Sequence, residues 1–112
     1  MDDGKSAMSF SDADKQLAAQ LKAIAHPARL QVLELLADRG ECVCGEIVKI
    51  LPLAQSTVSQ HLKILKEAGL LVGTIDGPRS CYCLNGQAIV AFRRALTERL
   101  AGLEAREKPK NG

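Results

Sequence analysis

The four cysteines of the chain fall in two doublets of identical spacing. The segment "RGECVCGEIV" holds Cys42 and Cys44, and the segment "RSCYCLN" holds Cys81 and Cys83. Cysteine sulfur can bind soft metal ions as thiolate, can be oxidised to a disulfide, or can pack as a small apolar side chain. In an extended strand, side chains two residues apart point to the same face, so each doublet presents both of its sulfur atoms together.

Length and composition indicate one small domain. The chain has 112 residues, of which 46% are apolar and only three are aromatic, so we expect an aliphatic core that gains stability by oligomerisation. The net charge of +2 permits binding to a polyanion. With no run of 18 apolar residues and no apolar signal segment in "MDDGKSAMSF", we expect a cytoplasmic protein that no membrane holds. Cysteines in that compartment stay reduced and more often bind metals or react than form permanent cross-links.

The first half of the chain predicts two helices and a short extended segment. A helix capped by Ser11 or Asp12 should run to about residue 25, and Pro27 should begin a second helix that ends at Gly40. The second helix is apolar nearly all round, so we expect it to be central. The segment "ECVC" should be extended, and "GEIVKIL" should form a short helix before a proline.

The clearest helix is "QSTVSQHLKILKEAG". We expect Ser56 to be its N-cap, Val58, Leu62 and Leu65 to form its buried stripe, and Gly69 to end it. The segments "LLVGTID" and "RSCYCLN" then predict two strands around a turn at residues 76–78. A last helix over 86–104 carries one apolar stripe. Its members are Ile89, Phe92, Leu96, Leu100 and Leu103.

This order of elements predicts a mainly α fold with a small β-hairpin wing, a winged helix-turn-helix that is homodimeric. Residues 1–10 should be a flexible N-terminus, 11–104 the domain with terminal dimerisation helices, and 105–112 a flexible tail. A winged helix often places its second helix in the DNA major groove, so we predict double-stranded DNA as the partner. The candidate DNA-binding residues are Gln55, Ser56, Thr57, Ser59, Gln60, Lys63 and Arg79. Two interpretations compete with this one: a solvated helix face, and a winged-helix module that binds only protein.

Three segments resemble the ArsR family of bacterial metalloregulators. They are "LKAIAHPARLQVLELL", "ECVCGEIVKILPLAQSTVSQHLKILKEAGLL" and "GPRSCYCLN", in the order of the family, and the resemblance spans about residues 15–100. It implies a homodimeric repressor that leaves its operator when an inducer binds, with the first and last helices at the dimer interface. The arsenite-sensing members resemble the chain at Cys42-Val43-Cys44. Their third cysteine is replaced here by Ile47.

The second doublet suggests a replacement for the missing thiol. In a winged helix the segment before the third helix commonly pairs with the distal wing strand, which would set "ECVC" beside "SCYC". We therefore predict a joint site of Cys42, Cys44, Cys81 and Cys83 that binds arsenite or antimonite as the inducer, with no cofactor required. Zinc is a weaker candidate because Cys-x-Cys is not its usual spacing. Two further interpretations compete: a cross-strand disulfide, which would make the protein a sensor of oxidants or reactive sulfur, and inert packing.

The sequence disfavours two other functions, a zinc site on the last helix and an enzyme. Some family members bind zinc on the last helix through His and acidic ligands, but residues 86–112 contain no His and no Asp. His26 and His61 lie in segments of the resemblance and are interpreted as packing or hydrogen-bonding residues. We predict that the protein is not an enzyme. The alternative is a small thiol-dependent reductase. It is disfavoured because the cysteines do not lie in a βαβ unit and have no obvious base nearby.

Overall fold

The wing and the helices follow the predicted order. In a computed structural model of the protein, residues 9–40, 42–44, 51–74 and 81–108 are described. The helices are α1 (Asp12–Ile24), α2 (Pro27–Arg39), α3 (Gln55–Glu67) and α4 (Gly86–Arg106), and the strands are β1 (Val43–Cys44), β2 (Leu71–Thr74) and β3 (Cys81–Leu84). The strands form one antiparallel sheet in the order β1-β3-β2, which confirms the fold class. Residues 1–8, the predicted short helix over 45–50, the turn at 76–78 and residues 109–112 lie outside the described residues.

The ends of the first two helices are set by local capping. The Ser11 side chain accepts a hydrogen bond from the Asp14 amide (3.0 Å) and begins α1, as predicted. His26 begins α2 because its Nδ1 accepts from the Ala28 amide (3.0 Å), and a proline occupies the first helical position. Gly40, with φ of 71°, ends α2 in the left-handed conformation that glycine adopts without strain.

The second helix is only partly covered by its neighbours. Only Val32 and Leu36 are buried, and Leu30 is 46% exposed. Helices α1 and α3 and strand β3 all contact α2, and between them they leave part of its apolar surface exposed. The helix is thus central in its contacts, as expected, although its apolar surface is only partly buried.

The third helix starts earlier than predicted and ends as predicted. The Val58 amide donates to the Ala54 carbonyl (3.0 Å), so Ala54 and not Ser56 is the N-cap. The backbone at Ala54 is extended, as is typical of an N-cap, and no side chain caps the helix there. At the other end, the amides of Gly69 and Leu70 donate to the carbonyls of Lys66 and Leu65, which is a Schellman motif.

The core forms where α3 meets the sheet. The predicted stripe of Val58, Leu62 and Leu65 is buried, and it packs with Tyr82 of β3 and Val43 of β1. Strand β2 approaches β3 so closely at residue 73 that only glycine fits. A Cβ there would lie 2.8 Å from the Tyr82 Cα, and the φ of 129° is itself strained for other residues.

The last helix lies largely outside this core. Within the described part of the chain none of the 21 residues of α4 is buried, and Leu100 and Leu103 are each 54% exposed. The helix continues to Arg106, two residues past the predicted end, because the Arg106 Nε donates to the Gly102 carbonyl (3.0 Å) and prolongs the last turn. Among the described residues we find no helix with the length and apolarity needed to cross a bilayer.

Candidate functional site

The two cysteine doublets meet across the sheet. Strand β1 pairs with β3 in antiparallel fashion and sets Cys44 opposite Cys81. Two disulfides join the strands, Cys42–Cys83 and Cys44–Cys81, with Cα–Cα distances of 4.3 and 4.0 Å. The predicted pairing of "ECVC" with "SCYC" is therefore confirmed.

The pleat of the sheet explains why all four sulfur atoms lie together. Directly opposed residues of antiparallel strands alternate between a wide and a narrow spacing, and the narrow pairs have Cα atoms about 4.5 Å apart. Both cystines occupy narrow pairs. Val43 and Tyr82 form the pair between them and point the other way, into the core. The sulfur-bearing face is consequently the outer one, where Cys42 and Cys44 are exposed.

The oxidation state decides which chemistry this cluster can perform. Every cysteine in the described residues is in a disulfide. A soft ion is bound by thiolates, so a cystine must first take up two electrons before its sulfur atoms can act as ligands. The candidate ligand set of Cys42, Cys44, Cys81 and Cys83 would thus be available to an ion in the reduced protein only.

One cystine is next to the ends of two helices. Cys42 follows Gly40, the residue that ends α2, by two positions. Cys83 precedes Asn85, the N-cap of α4, by two positions. The Cys42–Cys83 bond therefore joins the end of α2 to the beginning of α4.

Asn85 extends this connection to the third helix. Its Oδ1 accepts from the Ala88 amide (3.2 Å) and caps α4, while its Nδ2 donates to the Gly69 carbonyl (3.0 Å) at the end of α3. The Asn85 amide also donates to the Leu70 carbonyl (2.9 Å). A movement of β3 beside Cys83 would reach the end of α3 through these bonds. Sequence reasoning missed Asn85; its position at the helix start, a favoured place for asparagine, was the available signal.

The candidate DNA-binding side chains lie on α3, away from the buried stripe. Four of them are exposed and two are half-buried, which leaves polar groups accessible along the N-terminal two-thirds of the helix. Arg79 lies outside the described residues. The exposed four are Gln55, Ser56, Gln60 and Lys63, and the half-buried two are Thr57 and Ser59.

A cluster of two histidines and one arginine contacts α3 on the side away from these candidate DNA-binding residues. Arg29 Nε donates to His61 Nδ1 (3.1 Å), and Arg29 Nη1 donates to the Ala23 carbonyl (3.0 Å) at the end of α1. The His26 ring lies 4.5 Å from the His61 ring, centroid to centroid. Burial lowers the pKa of His61, and the nearby His26 and Arg29 charges lower it further. Both histidines pack and hydrogen-bond as predicted, but the bond from Arg29 to His61 was not foreseen.

Comparison with known proteins establishes the family. The pattern described as "Bacterial regulatory protein, arsR family" matches residues 26–72. The chain is 36% identical over 82 residues to the HTH-type transcriptional regulator YgaV of Escherichia coli (strain K12), spanning 73% of this chain and 83% of that protein. It is 38% identical over 71 residues to the arsenical resistance operon repressor of Bacillus subtilis (strain 168), spanning 62% of this chain and 67% of that protein. The chain belongs to the arsR family of bacterial regulatory proteins.

Solved structures agree with this placement. An ArsR-like transcriptional regulator from Rhodococcus sp. RHA1 superposes with a TM-score of 0.70 at 21% identity, covering 86% of this chain and 90% of that one, which shows the shared fold. The crystal structure of Mycobacterium tuberculosis Rv0081 superposes with a TM-score of 0.56 at 28% identity, covering 83% and 97%. As an arsR-family member, the protein is a DNA-binding transcriptional regulator.

Proposed function

We propose that this arsR-family regulator is an operator-binding repressor whose grip on DNA depends on the oxidation state of its four cysteines. The reduced protein binds the operator, and cystine formation releases it. The observation that carries the proposal is the pair of cross-strand cystines that join β1 to β3. In the cytoplasm, where we place the protein, thiols are kept reduced, so the resting form is the one that represses.

DNA recognition uses the exposed face of α3. Gln55 and Gln60 can form paired hydrogen bonds with adenine, and Ser56 and Thr57 can bond base edges or phosphate. Lys63 supplies a cation for the backbone. A homodimer presents two such helices to half-sites one DNA turn apart, so a small change in their separation weakens both sets of contacts.

The dimer in this proposal forms through α1 and α4. Helix α4 packs on α1 with its apolar stripe only half-buried, and Leu100 and Leu103 remain exposed near its end. An apolar stripe of this length on a small domain is stabilised by a second copy of the same surface. A shift at the start of α4 would then alter the spacing of the two reading helices.

The cystines stand at the point where such a shift begins. When the strands are cross-linked, Cys83 is held against the end of α2, and Asn85 carries its position to α4 and to the end of α3. When the cystine is reduced, β1 and β3 are joined only by their backbone pairing. A coupling of about 1–3 kcal/mol between the two sites suffices for roughly 5–150-fold release from DNA.

Trivalent arsenic or antimony is a second candidate inducer. Four sulfur atoms on one face of two paired strands offer the three thiolates that such an ion takes, once they are reduced. The similarity to a protein named as an arsenical resistance operon repressor supports this candidate. The ion would bridge β1 and β3 as the cystines do, so both inducers act through the same displacement.

Fluorescence anisotropy with the DNA upstream of the gene tests both candidates. We expect the oxidised protein to bind at least about fivefold more weakly than the reduced protein. The matched control replaces all four cysteines by serine, and its affinity should stay tight with or without oxidant. Equal affinity of the oxidised and reduced proteins would contradict the redox proposal. Release of the reduced protein by arsenite, absent with zinc, would establish the second inducer.

A further inference from the structure

A cavity of about 460 Å³ lies against one of the two cystines. Both sulfur-bearing residues of that cystine belong to its wall, together with the end of α2 and the end of β3. Neither residue of the Cys44–Cys81 cystine is part of the wall. The lining residues are Leu36, Ala37, Gly40, Cys42, Cys83 and Leu84.

Among the described residues of this wall, none carries a charge. Their side chains are apolar apart from the two cysteines, so a molecule with an anionic group would lose hydration against them without gaining a partner. Two further cavities lie between α1 and α4, and their described linings contain no cysteine; one of them includes Glu98, Arg99 and Arg106. The cavity beside Cys42–Cys83 is thus the one of the three in which a small molecule would meet sulfur.

Building on the proposed function, we infer that this cavity binds a small uncharged thiol and that Cys42–Cys83 is the cystine at which the regulator is reduced. The bound molecule is the reductant, and its chemical class is a low-molecular-weight neutral thiol. Cys44–Cys81 follows later, by exchange or from solvent. The two cystines are therefore reduced in a fixed order, and the first bond to open is the one next to Asn85.

The reaction is two successive thiol–disulfide exchanges. The bound thiol loses its proton to water, and its sulfur attacks Sγ of Cys42, which is more exposed than Cys83. A mixed disulfide forms at Cys42, and Cys83 leaves as a thiolate that takes up a proton. A second thiol molecule loses its proton to water and attacks the small-molecule sulfur of the mixed disulfide, and Cys42 leaves as a thiolate that takes up a proton. The cystine gains two electrons, and the two thiols leave joined as one disulfide.

The test compares a neutral and an anionic thiol as reductants. Oxidised protein is treated with 2-mercaptoethanol or with 2-mercaptoethanesulfonate at equal thiolate concentration, alkylated at intervals, and analysed by mass spectrometry. We expect the neutral-to-anionic rate ratio to be at least about fivefold higher at Cys42–Cys83 than at Cys44–Cys81. Equal ratios at the two cystines would overturn the inference.

Two matched variants prevent exchange between the cystines during this measurement. The double variant C44S/C81S keeps only the cystine on the cavity wall, and C42S/C83S keeps only the other. The neutral-thiol preference should be present in the first variant and absent in the second. The reverse pattern, or the same preference in both, contradicts the assignment.

Filling the cavity gives an independent check. Ala37 is exposed on α2 at the cavity wall, so A37F should slow reduction of Cys42–Cys83 by 2-mercaptoethanol at least about fivefold and leave Cys44–Cys81 unchanged. The control A19F changes an exposed alanine of α1 outside the lining. Unaltered reduction in A37F would rule out entry through the cavity.

These readouts separate this inference from the proposed function. If the two cystines show the same thiol preference while oxidised protein still binds DNA more weakly, the cavity assignment fails and the redox repressor stands. If the preference is found while oxidised and reduced proteins bind DNA equally, the reverse holds.

Discussion

Arg29 joins two helices of this small domain through one side chain. Its guanidinium donates to carbonyls at the end of α1, where a cation is favoured by the helix dipole, and to His61 in the middle of α3. The position of α3 therefore depends on one buried imidazole accepting a hydrogen bond from an arginine. An imidazole can accept at Nδ1 only when that nitrogen carries no proton.

Acidification should weaken this contact. The pKa of His61 is lowered from its ordinary value of 6.5 by burial and by the His26 and Arg29 charges, so the unfolded chain takes up a proton before the folded one does. The free energy of unfolding is then highest above that ordinary value and falls as the pH drops towards the lowered one. We expect H61N, whose amide oxygen can still accept from Arg29, to lose less stability than the wild type between about pH 7.5 and pH 5. Urea unfolding at both pH values measures the difference, and identical losses would contradict it.

At the level of residues, sequence reasoning identified the reactive groups and the pairing of their two segments, but not which cysteine bonds which. The i, i+2 spacing was enough to place both sulfur atoms of a doublet on one face. It could not say that Cys42 bonds Cys83, because register depends on the whole sheet. The cap of α3 was misplaced for a related reason: a serine is a good cap wherever it occurs, but the turn before it had already closed on Ala54.

Asn85 caps α4 and also bonds the end of α3, and substitution can separate these two roles. N85A removes both the cap of α4 and the bond to Gly69, whereas N85S keeps a capping hydroxyl that is too short to reach that carbonyl. We expect N85A to lower the free energy of unfolding by about 2 kcal/mol and N85S by about 1 kcal/mol. Thermal and urea unfolding report stability. In both variants, anisotropy with operator DNA should show a smaller difference in affinity between the oxidised and the reduced protein. An unchanged difference would exclude Asn85 from the signal path.

The helices themselves were predicted well where a capping signal stood beside an apolar stripe. Helix α1 begins at Ser11 and α2 ends at Gly40 because side-chain and glycine caps act locally. The partial burial of α2 could not be predicted from its sequence, since an apolar face shows what a helix is able to bury and not how many neighbours come to cover it. Leu30 remains nearly half exposed within the described chain.

At the scale of the whole molecule, the exposed end of α4 predicts self-association. Leu100 and Leu103 carry the apolar stripe beyond the part that α1 covers. In the double variant L100E/L103E, two carboxylates would have to be buried in the dimer, so we expect the dimer dissociation constant to rise at least about a hundredfold. Sedimentation velocity measures this change. The control L30E places one such carboxylate on a similarly exposed leucine of α2, and its dimer should persist. A double variant that remains dimeric at wild-type concentrations refutes the interface.

The two cross-links also share one large ring, because they close loops of 41 and 37 residues around the same stretch of chain. The disulfide that forms first removes most of the conformational entropy of the unfolded loop and stabilises the fold by about 4 kcal/mol. The second disulfide adds only about half as much. Cutting either link alone should therefore leave the heat resistance of the two single-cystine proteins nearly alike. Any difference in how quickly those proteins react must then arise at the sulfur atoms and their surroundings.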